Sequence, residues 1–142
     1  MILIWYHYSV NAKLVNRNTD YAVRALCLMA KEKERVIPVS ELVKRLKIPR
    51  PFLRKILQVL NKERLLISQK GKGGGFKLAL APERIFLKDL IEVFQGPLKL
   101  NECLFKKRVC PERNICALKR KIDSIERHVV SELRSVTIAS LS

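Results

Sequence analysis

The sequence predicts a mainly α-helical protein of the α+β class. Two short amphipathic segments, 41–46 and 51–62, are separated by a break of four residues, which is the arrangement of a helix-turn-helix. Two short extended runs joined by the glycine-rich segment 71–75 follow and predict a β-hairpin, or wing. Apolar residues then recur over 117–136 at helical spacing. Together these elements predict a winged helix-turn-helix domain followed by a long C-terminal dimerisation helix.

The first two helices are predicted from their caps and their apolar residues. Thr19 or Asp20 is a suitable N-cap for a first helix through "YAVRALCLMAK", which is apolar nearly all round and therefore central and buried. Ser40 is predicted to cap the second helix, 41–46, whose leucines and valine face the core.

The third helix is predicted over Pro51–Lys62. Ile48 precedes a proline and is biased away from helix, whereas Pro51 suits a first helical turn. Apolar residues on one face recur at spacings of three and four, so we expect this stripe to be buried. The stripe consists of Phe52, Leu53, Ile56, Leu57 and Leu60.

Two further helices follow the wing. The segment "LKDLIEVFQ" is amphipathic, and Gly96-Pro97 ends it. The last helix, about Ala117 to Val136, carries apolar residues close to the a/d seam of a coiled coil. The stripe could cover the wing domain of the same chain, but its length favours a twin helix in a homodimer. The predicted dimerisation residues are Leu118, Ile122, Ile125, Val129, Leu133 and Val136.

The charge balance predicts a polyanionic partner. The 142-residue chain has 29 Lys and Arg against 13 Asp and Glu, a net charge of +16, which favours nucleic acid first and an anionic membrane surface second. No apolar run is long enough to span a bilayer, and "MILIWYHYSV" lacks the features of a signal peptide. We expect a cytoplasmic protein without a membrane partner. Paired carboxylates, a Ser–His arrangement and a nucleotide-binding loop are not recognisable, so an enzyme is not predicted.

Basic residues are concentrated on the third helix and the wing. Between residues 50 and 77 only one acidic residue, Glu63, accompanies eight basic ones. The basic residues of the third helix lie away from the apolar stripe, so one face can be buried while the other enters a major groove. The small wing residues permit close approach to phosphates or to a minor groove. The residues predicted to bind DNA are Arg50, Arg54, Lys55, Lys70, Lys72, Gly73 and Gly74.

Three of the four cysteines lie in "CLFKKRVCPERNIC", within a segment, 97–116, that is predicted as an irregular loop. Their spacing, C-x6-C-x5-C, is too open for a zinc knuckle, and their number is odd for a disulfide framework. Iron–sulfur clusters are held by thiolates, and an irregular loop can fold three of them around one inorganic core. Basic neighbours would favour thiolates and offset the negative charge of a cluster.

Cys103, Cys110 and Cys116 are therefore the predicted ligands of an iron–sulfur cluster. Three alternatives stay open: zinc held by these cysteines with His128, a thiol–disulfide switch without metal, and inert cysteines. Cys27 lies on the buried first helix and is predicted to be an ordinary core residue.

The order of these motifs resembles one family. "DYAVRAL", the helix-turn-helix, "KGKGGGFKLA", "IEVFQGPL", the cysteines and "SVTIASL" are similar to the Rrf-two family of bacterial winged-helix transcriptional regulators, over residues 13–142. Its iron–sulfur members include the IscR and NsrR types. The resemblance implies a homodimer whose third helix reads the major groove through Pro49–Lys55, which adds Pro51, while the wing enters the minor groove. Lys70 stands where the family often has arginine, and Arg54 where some relatives have an acidic residue.

The resemblance also bears on the fourth cluster ligand. The IscR type has a histidine three residues after its third cysteine, where this chain has Lys119. The NsrR type recruits an aspartate from the first helix of the partner subunit, and Asp20 matches that position. We therefore favour Asp20 of the partner subunit, with His128, water or a small thiol as alternatives.

These observations predict a DNA-binding transcriptional repressor. Its affinity for a palindromic operator in double-stranded DNA would depend on a 2Fe–2S or 4Fe–4S cluster that senses nitric oxide, redox state or iron–sulfur supply. The alternative is a cluster-free repressor controlled by a thiol switch or a partner protein. The predicted organisation is an extension outside the fold, 1–12, a winged helix-turn-helix domain, 13–96, a cluster-binding loop, 97–116, and a dimerisation helix with tail, 117–142.

Overall fold

A computed structural model describes residues 13–32, 34–100 and 116–142. Residues 1–12, Cys103 and Cys110, for which the sequence analysis makes predictions, lie outside these ranges. The helices are α1 Arg17–Lys31, α2 Val39–Leu46, α3 Arg50–Lys62, α4 Leu87–Gln95, α5 Ala117–Ser135 and α6 Ile138–Leu141. The strands are β1 Leu66–Gln69 and β2 Gly75–Leu78, with a short 3₁₀ turn at Pro82–Arg84. The predicted class, mainly helical with a winged helix-turn-helix, is confirmed.

Helix α1 runs through the centre of the core. Its Ala22, Ala25, Leu26 and Met29 side chains are buried, and helices α3, α4 and α6 pack around it. Small alanines allow neighbouring helices to approach closely, while leucine and methionine fill the space between them. The prediction that the first helix is central and buried is confirmed.

The start of α1 differs from the prediction. Asn16 is the N-cap, and its side-chain oxygen accepts a hydrogen bond from the Thr19 amide at 2.9 Å. The helix therefore begins at Arg17, and Thr19 is a buried residue of its first turn. Asparagine, threonine and aspartate are all suitable caps by type, so the sequence alone did not single out Asn16.

The second helix also begins earlier than predicted. Pro38 is the N-cap of α2 and Ser40 lies exposed within the helix, so the prediction that Ser40 caps it is wrong. Pro38 supplies its carbonyl oxygen to the amide of Leu42 at 3.1 Å. At the other end Lys47 adopts a left-handed conformation, with φ of 55°, which turns the chain toward α3.

Helix α3 buries four of the five residues in its predicted apolar stripe. Leu53, Ile56, Leu57 and Leu60 are buried, but Phe52 is 58% exposed. At about 100° per residue, Phe52 lies roughly 90° from the centre of the face that the other four define. The prediction that Phe52 is in the core is therefore wrong.

The wing is an antiparallel hairpin joined to the rest of the domain by a further bridge. Leu66 pairs with Leu78 at its base, and Gln69 pairs with Gly75 near its tip. Ile37 and Phe76 exchange two backbone hydrogen bonds, of 2.8 and 3.0 Å, which tie the wing to the segment entering α2. A Cβ on Gly75 would lie 2.1 Å from the Ile37 carbonyl oxygen, so this close approach requires glycine.

The C-terminal tail returns to the core as a helix that the sequence analysis did not predict. Thr137 caps α6, and the Ile138 side chain is buried among core residues. The amide of Ile138 donates to the Ile85 carbonyl oxygen at 2.9 Å, and the amide of Leu87 donates to the Val136 carbonyl oxygen at 2.9 Å. The last residues therefore contribute to the same core as α1. Helix α4, in contrast, has the predicted bounds.

No helix within the described ranges is long and apolar enough to cross a membrane.

Replacing Ile138 with alanine tests the role of the tail. Removing a fully buried isoleucine side chain leaves a cavity, so we expect Ile138→Ala to lower the free energy of unfolding by about 2–5 kcal/mol. Urea denaturation followed by circular dichroism measures this loss. Leu141→Ala is the matched control on the same helix, because Leu141 is 47% exposed. Equal losses in the two variants would contradict the packing described for α6.

Candidate nucleic-acid interface and cysteine site

Helix α3 and the wing enclose a polar groove of about 480 Å³. The start of α2 forms one end of this groove, because the Ile37–Phe76 bridge holds the wing beside it. Arg50 from α3 and Lys70 from the wing both line the groove. The structure thus brings together residues twenty positions apart in the sequence on one concave, positively charged surface.

Three of the predicted DNA-binding residues line this groove, and the others lie outside its lining on α3 and the wing. Gly74 lines it together with Arg50 and Lys70. Pro51, Arg54 and Lys55 are exposed on α3, and Lys72 and Gly73 are exposed on the turn of the wing. Within the part of the chain that the structure describes, none of the five basic side chains forms an ion pair. Their charges are therefore available to a polyanion.

Several groove residues were missed by the sequence analysis. The groove is also lined by the uncharged polar residues Ser40, Gln58, Asn61, Ser68 and Gln69. Amide side chains can form paired hydrogen bonds with an adenine edge in the major groove. Gln58 could have been found, since it lies four residues after Arg54 on the exposed face of α3. Ser40 and Gln69 could not, because only the tertiary fold brings them beside α3.

The acidic side chains beside this region neutralise a different set of arginines. Arg35 forms a two-pronged ion pair with Glu41, at 2.8 and 2.9 Å, and Arg45 pairs with Glu32 and Glu41. Hydrogen bonding from Arg45 holds the pKa of Glu32 below its usual value, and hydrogen bonding from Arg35 does the same for Glu41. The ion pairs of Glu32 and Glu41 stabilise the folded protein at neutral pH. This stabilisation is lost as pH falls through the lowered pKa values of the two carboxyl groups. This network joins α1 to α2 at the surface.

Cys116 is the predicted cluster ligand that the structure describes. It is the N-cap of α5, where its Sγ accepts a hydrogen bond from the Lys119 amide at 3.4 Å. The peptide dipoles at a helix N-terminus suit an anionic sulfur ligand. Within residues 13–32, 34–100 and 116–142 no three His, Cys, Asp or Glu side chains are grouped as a metal site. Of the three predicted thiol ligands, Cys116 is the one that lies within the described residues.

Cys27 has a different environment. It is half-buried and packs against the core from α1. Burial raises the pKa of its thiol, and the opposing effect of Lys31 is smaller. These observations fit a protonated thiol in a structural position.

Asp20 lies in the first turn of α1, at the surface. Its Oδ2 is 3.1 Å from the Nε of Arg24, and both side chains are largely exposed. It lines a shallow depression together with Arg17 and Lys47. The carboxylate is accordingly accessible, and an exposed i,i+4 ion pair of this kind is weak enough to be exchanged for another ligand.

Gln95 connects the start of α1 with the end of α4. Its side-chain oxygen accepts a hydrogen bond from the backbone amide of Asn16 at 2.8 Å and another from the Thr19 hydroxyl at 2.7 Å. Its side-chain amide donates to the Leu14 carbonyl oxygen at 3.3 Å. The predicted cluster-binding loop, 97–116, begins two residues after Gln95 in the sequence, and Asp20 follows Thr19. Gln95 therefore connects the first turn of α1, which carries Asp20, to the end of α4, which precedes the predicted cluster-binding loop.

The predicted dimerisation stripe divides into two parts. Leu118 and Ile125 are 67% and 43% exposed, and Ile122 and Val129 are half-buried. Leu133 is buried in its own chain, where α5 packs against α4, and Val136 is half-buried beside it. The N-terminal part of the stripe is thus available for a second subunit, while its C-terminal end covers the domain.

These features define a winged-helix protein with a positively charged groove, and comparison with known proteins gives its family. Residues 15–142 match the model of the Rrf2 family, described as iron-dependent transcriptional regulators. The chain belongs to the Rrf2 family, which is the Rrf-two family that its motifs resemble. Proteins of this family are transcriptional regulators that bind DNA, and they are not enzymes.

Individual relatives agree with this assignment. The chain is 36% identical over 123 residues to a candidate HTH-type transcriptional regulator of Aquifex aeolicus, covering 85% of each protein. CymR, the global cysteine regulator of B. subtilis, superposes with a TM-score of 0.74 at 22% identity, over 89% of this chain and 94% of CymR. IscR of T. potens superposes with a TM-score of 0.69 at 24% identity, over 92% and 86%. At these identities the two solved structures show the shared fold.

The Gln95 hydrogen bonds can be tested by substitution. We expect Gln95→Ala to lower the free energy of unfolding by about 1–3 kcal/mol, because the backbone amide of Asn16 loses its acceptor and the buried Thr19 hydroxyl keeps only the longer hydrogen bond, of 3.1 Å, to Asn16 Oδ1. Thermal and urea denaturation measure the change. Gln58→Ala is the matched control, since Gln58 is exposed on α3 and forms none of the Gln95 hydrogen bonds. An unaltered stability of Gln95→Ala would show that these hydrogen bonds do not fix the start of α1.

Proposed function

We propose that this protein is a homodimeric transcriptional repressor of the cytoplasm whose operator affinity is controlled by an iron–sulfur cluster. The observation that carries the proposal is the groove that joins Arg50 of α3 to Lys70 of the wing in a chain of an iron-dependent regulator family. The proposed division is a winged domain, 13–96, a cluster-binding loop, 97–116, and a dimerisation helix with tail, 117–142, with 1–12 outside the fold.

The proposed DNA contacts follow from charge and exposure. Helix α3 presents Arg54 and Lys55 on the side away from its buried residues, which suits insertion into a major groove. Lys70 and Lys72 flank Gly71 on a turn with little side-chain bulk, so the wing can approach a phosphate backbone or a minor groove. Arg50, Pro51, Gly73 and Gly74 complete the proposed surface. A two-fold dimer of such surfaces would bind a palindromic operator.

The proposed cluster ligands are Cys103, Cys110 and Cys116, with Asp20 of the partner subunit as the fourth. Three thiolates and a carboxylate suit iron, and Cys116 at a helix N-terminus supports an anionic sulfur there. When bound, a 2Fe–2S or 4Fe–4S cluster would supply a centre that reacts with oxidants or nitric oxide. The match of Asp20 to the NsrR-type ligand favours nitric oxide over iron–sulfur supply as the signal.

A route from this site to the DNA-binding surface is supported by the packing of α1. Asp20 lies one residue after Thr19, which Gln95 holds against the end of α4. Helix α1 also packs against α3. A change in what Asp20 binds would therefore act on the helix that supports the recognition helix. Coupling between two such sites is typically worth about 1–3 kcal/mol.

The alternative is a cluster-free repressor controlled by a thiol switch or a partner protein. The observation that favours it is the similarity to CymR, the global cysteine regulator of B. subtilis. In that case Cys116 would act with Cys103 or Cys110 as a redox pair. Iron content and visible absorbance of anaerobically purified protein distinguish the two.

The salt dependence of operator binding tests the electrostatic part of the proposal. If each dimer makes 6–10 phosphate contacts, affinity should fall about 10³–10⁵-fold between 50 and 200 mM salt. Lys72→Gln should reduce the slope of log K against log salt by about 1 per subunit. Arg84→Gln, an exposed arginine on the 3₁₀ turn, should leave the slope unchanged. Fluorescence anisotropy measures both slopes, and a flat response in the wild type would exclude this account.

The cluster ligands can be tested under strict anaerobiosis. We expect the reconstituted wild type to be coloured and to contain iron, and Cys116→Ala to lose most of both. Asp20→Asn should retain iron but alter the visible spectrum, since one ligand changes while three thiolates remain. Cys27→Ala is the matched control, a cysteine on α1 that should not affect the spectrum. If Cys116→Ala and Cys27→Ala give the same spectrum as the wild type, the proposed ligand set is wrong.

A further inference from the structure

Phe52 is the feature of α3 that phosphate binding does not explain. Its ring is 58% exposed in the first turn of the helix, although phenylalanine is usually buried. Leu53 and Ile56 on the same helix are buried. Phe52 is therefore exposed because it lies outside the buried face of α3, while the rest of the helix is well packed.

The surroundings of Phe52 favour a polyanionic partner. Pro51, Arg54 and Lys55 are exposed beside it, and α3 contains no acidic residue. A second copy of the chain is a poor occupant, because a two-fold contact here would bring like charges together. An apolar protein surface is also poor, because it would leave the charges of Arg54 and Lys55 unpaired. Duplex DNA satisfies both the cations and the aromatic ring.

The apolar group that a major groove offers is the 5-methyl group of thymine. Resting on the DNA-binding function proposed above, we propose that Phe52 is a specificity-determining residue that packs its ring against a thymine methyl group in each half-site. The cations on either side bind the backbone and fix the register of α3. The ring then distinguishes thymine from cytosine, which lacks the methyl group.

Replacing thymine by deoxyuridine removes the methyl group alone and tests the contact directly. The operator is first obtained by in vitro selection with the wild type. We expect each dT→dU substitution to weaken wild-type binding about fourfold, equivalent to about 0.8 kcal/mol, so that one substitution in each of the two half-sites weakens it about sixteenfold. Phe52→Ala should bind the dT and dU duplexes equally, and selection with it should lose the preference for thymine at that position.

Controls separate this inference from the proposed function. Phe52→Leu keeps an apolar contact and should retain part of the preference for dT over dU, while Leu141→Ala should behave as the wild type. If the wild type selects no sequence, the proposed function itself fails. If the wild type selects an operator but every dT→dU duplex binds equally, or Phe52→Ala weakens all sequences alike, the inference is wrong while the function stands.

Discussion

The burial of α1 is the constraint on which the rest of the structure depends. Its alanines allow α3, α4 and α6 to pack closely around one central helix. Any displacement of α1 would open the core on more than one side, because close-packed interiors tolerate few voids. Helix α3 on one side and α4 on the other are therefore positioned by the same element.

The proposed link between Asp20, near the start of α1, and DNA binding rests on this arrangement. The Asn16 cap and the Gln95 hydrogen bonds hold the first turn against the end of α4. The Ile37–Phe76 bridge holds the wing against the entry to α2. Between these two attachments the domain is continuous packed core, and packed elements move as units rather than deforming gradually. In the proposed mechanism, a change at Asp20 would be transmitted to α3 and the wing because these packed elements move together.

Much of the fold could be predicted from sequence, and the exceptions have physical causes. Helix α4 was predicted with its observed bounds because an amphipathic run ends in Gly96-Pro97. The predicted cap of α1 was wrong because Asn16, Thr19 and Asp20 are all suitable by type, and tertiary contacts such as Gln95 with Thr19 decide among them. The predicted cap of α2 was wrong because Pro38 caps that helix through its backbone alone, which side-chain preferences do not detect. Phe52 was placed in the core because a one-dimensional spacing rule does not resolve the edge of a helix face. Helix α6 was missed because four residues are too few for periodicity to indicate a helix.

The candidate site was predictable only in part. Basic residues on α3 and the wing are visible as sequence clusters, whereas Ser40 and Gln69 reach the groove only through folding. The most direct test of the central claim is a paired anaerobic titration of one operator duplex with iron-loaded and iron-stripped forms of the same wild-type preparation. We predict dissociation constants that differ by about 5–150-fold. Equal constants, or protein that stays colourless and iron-poor after reconstitution, would contradict control of this regulator by an iron–sulfur cluster.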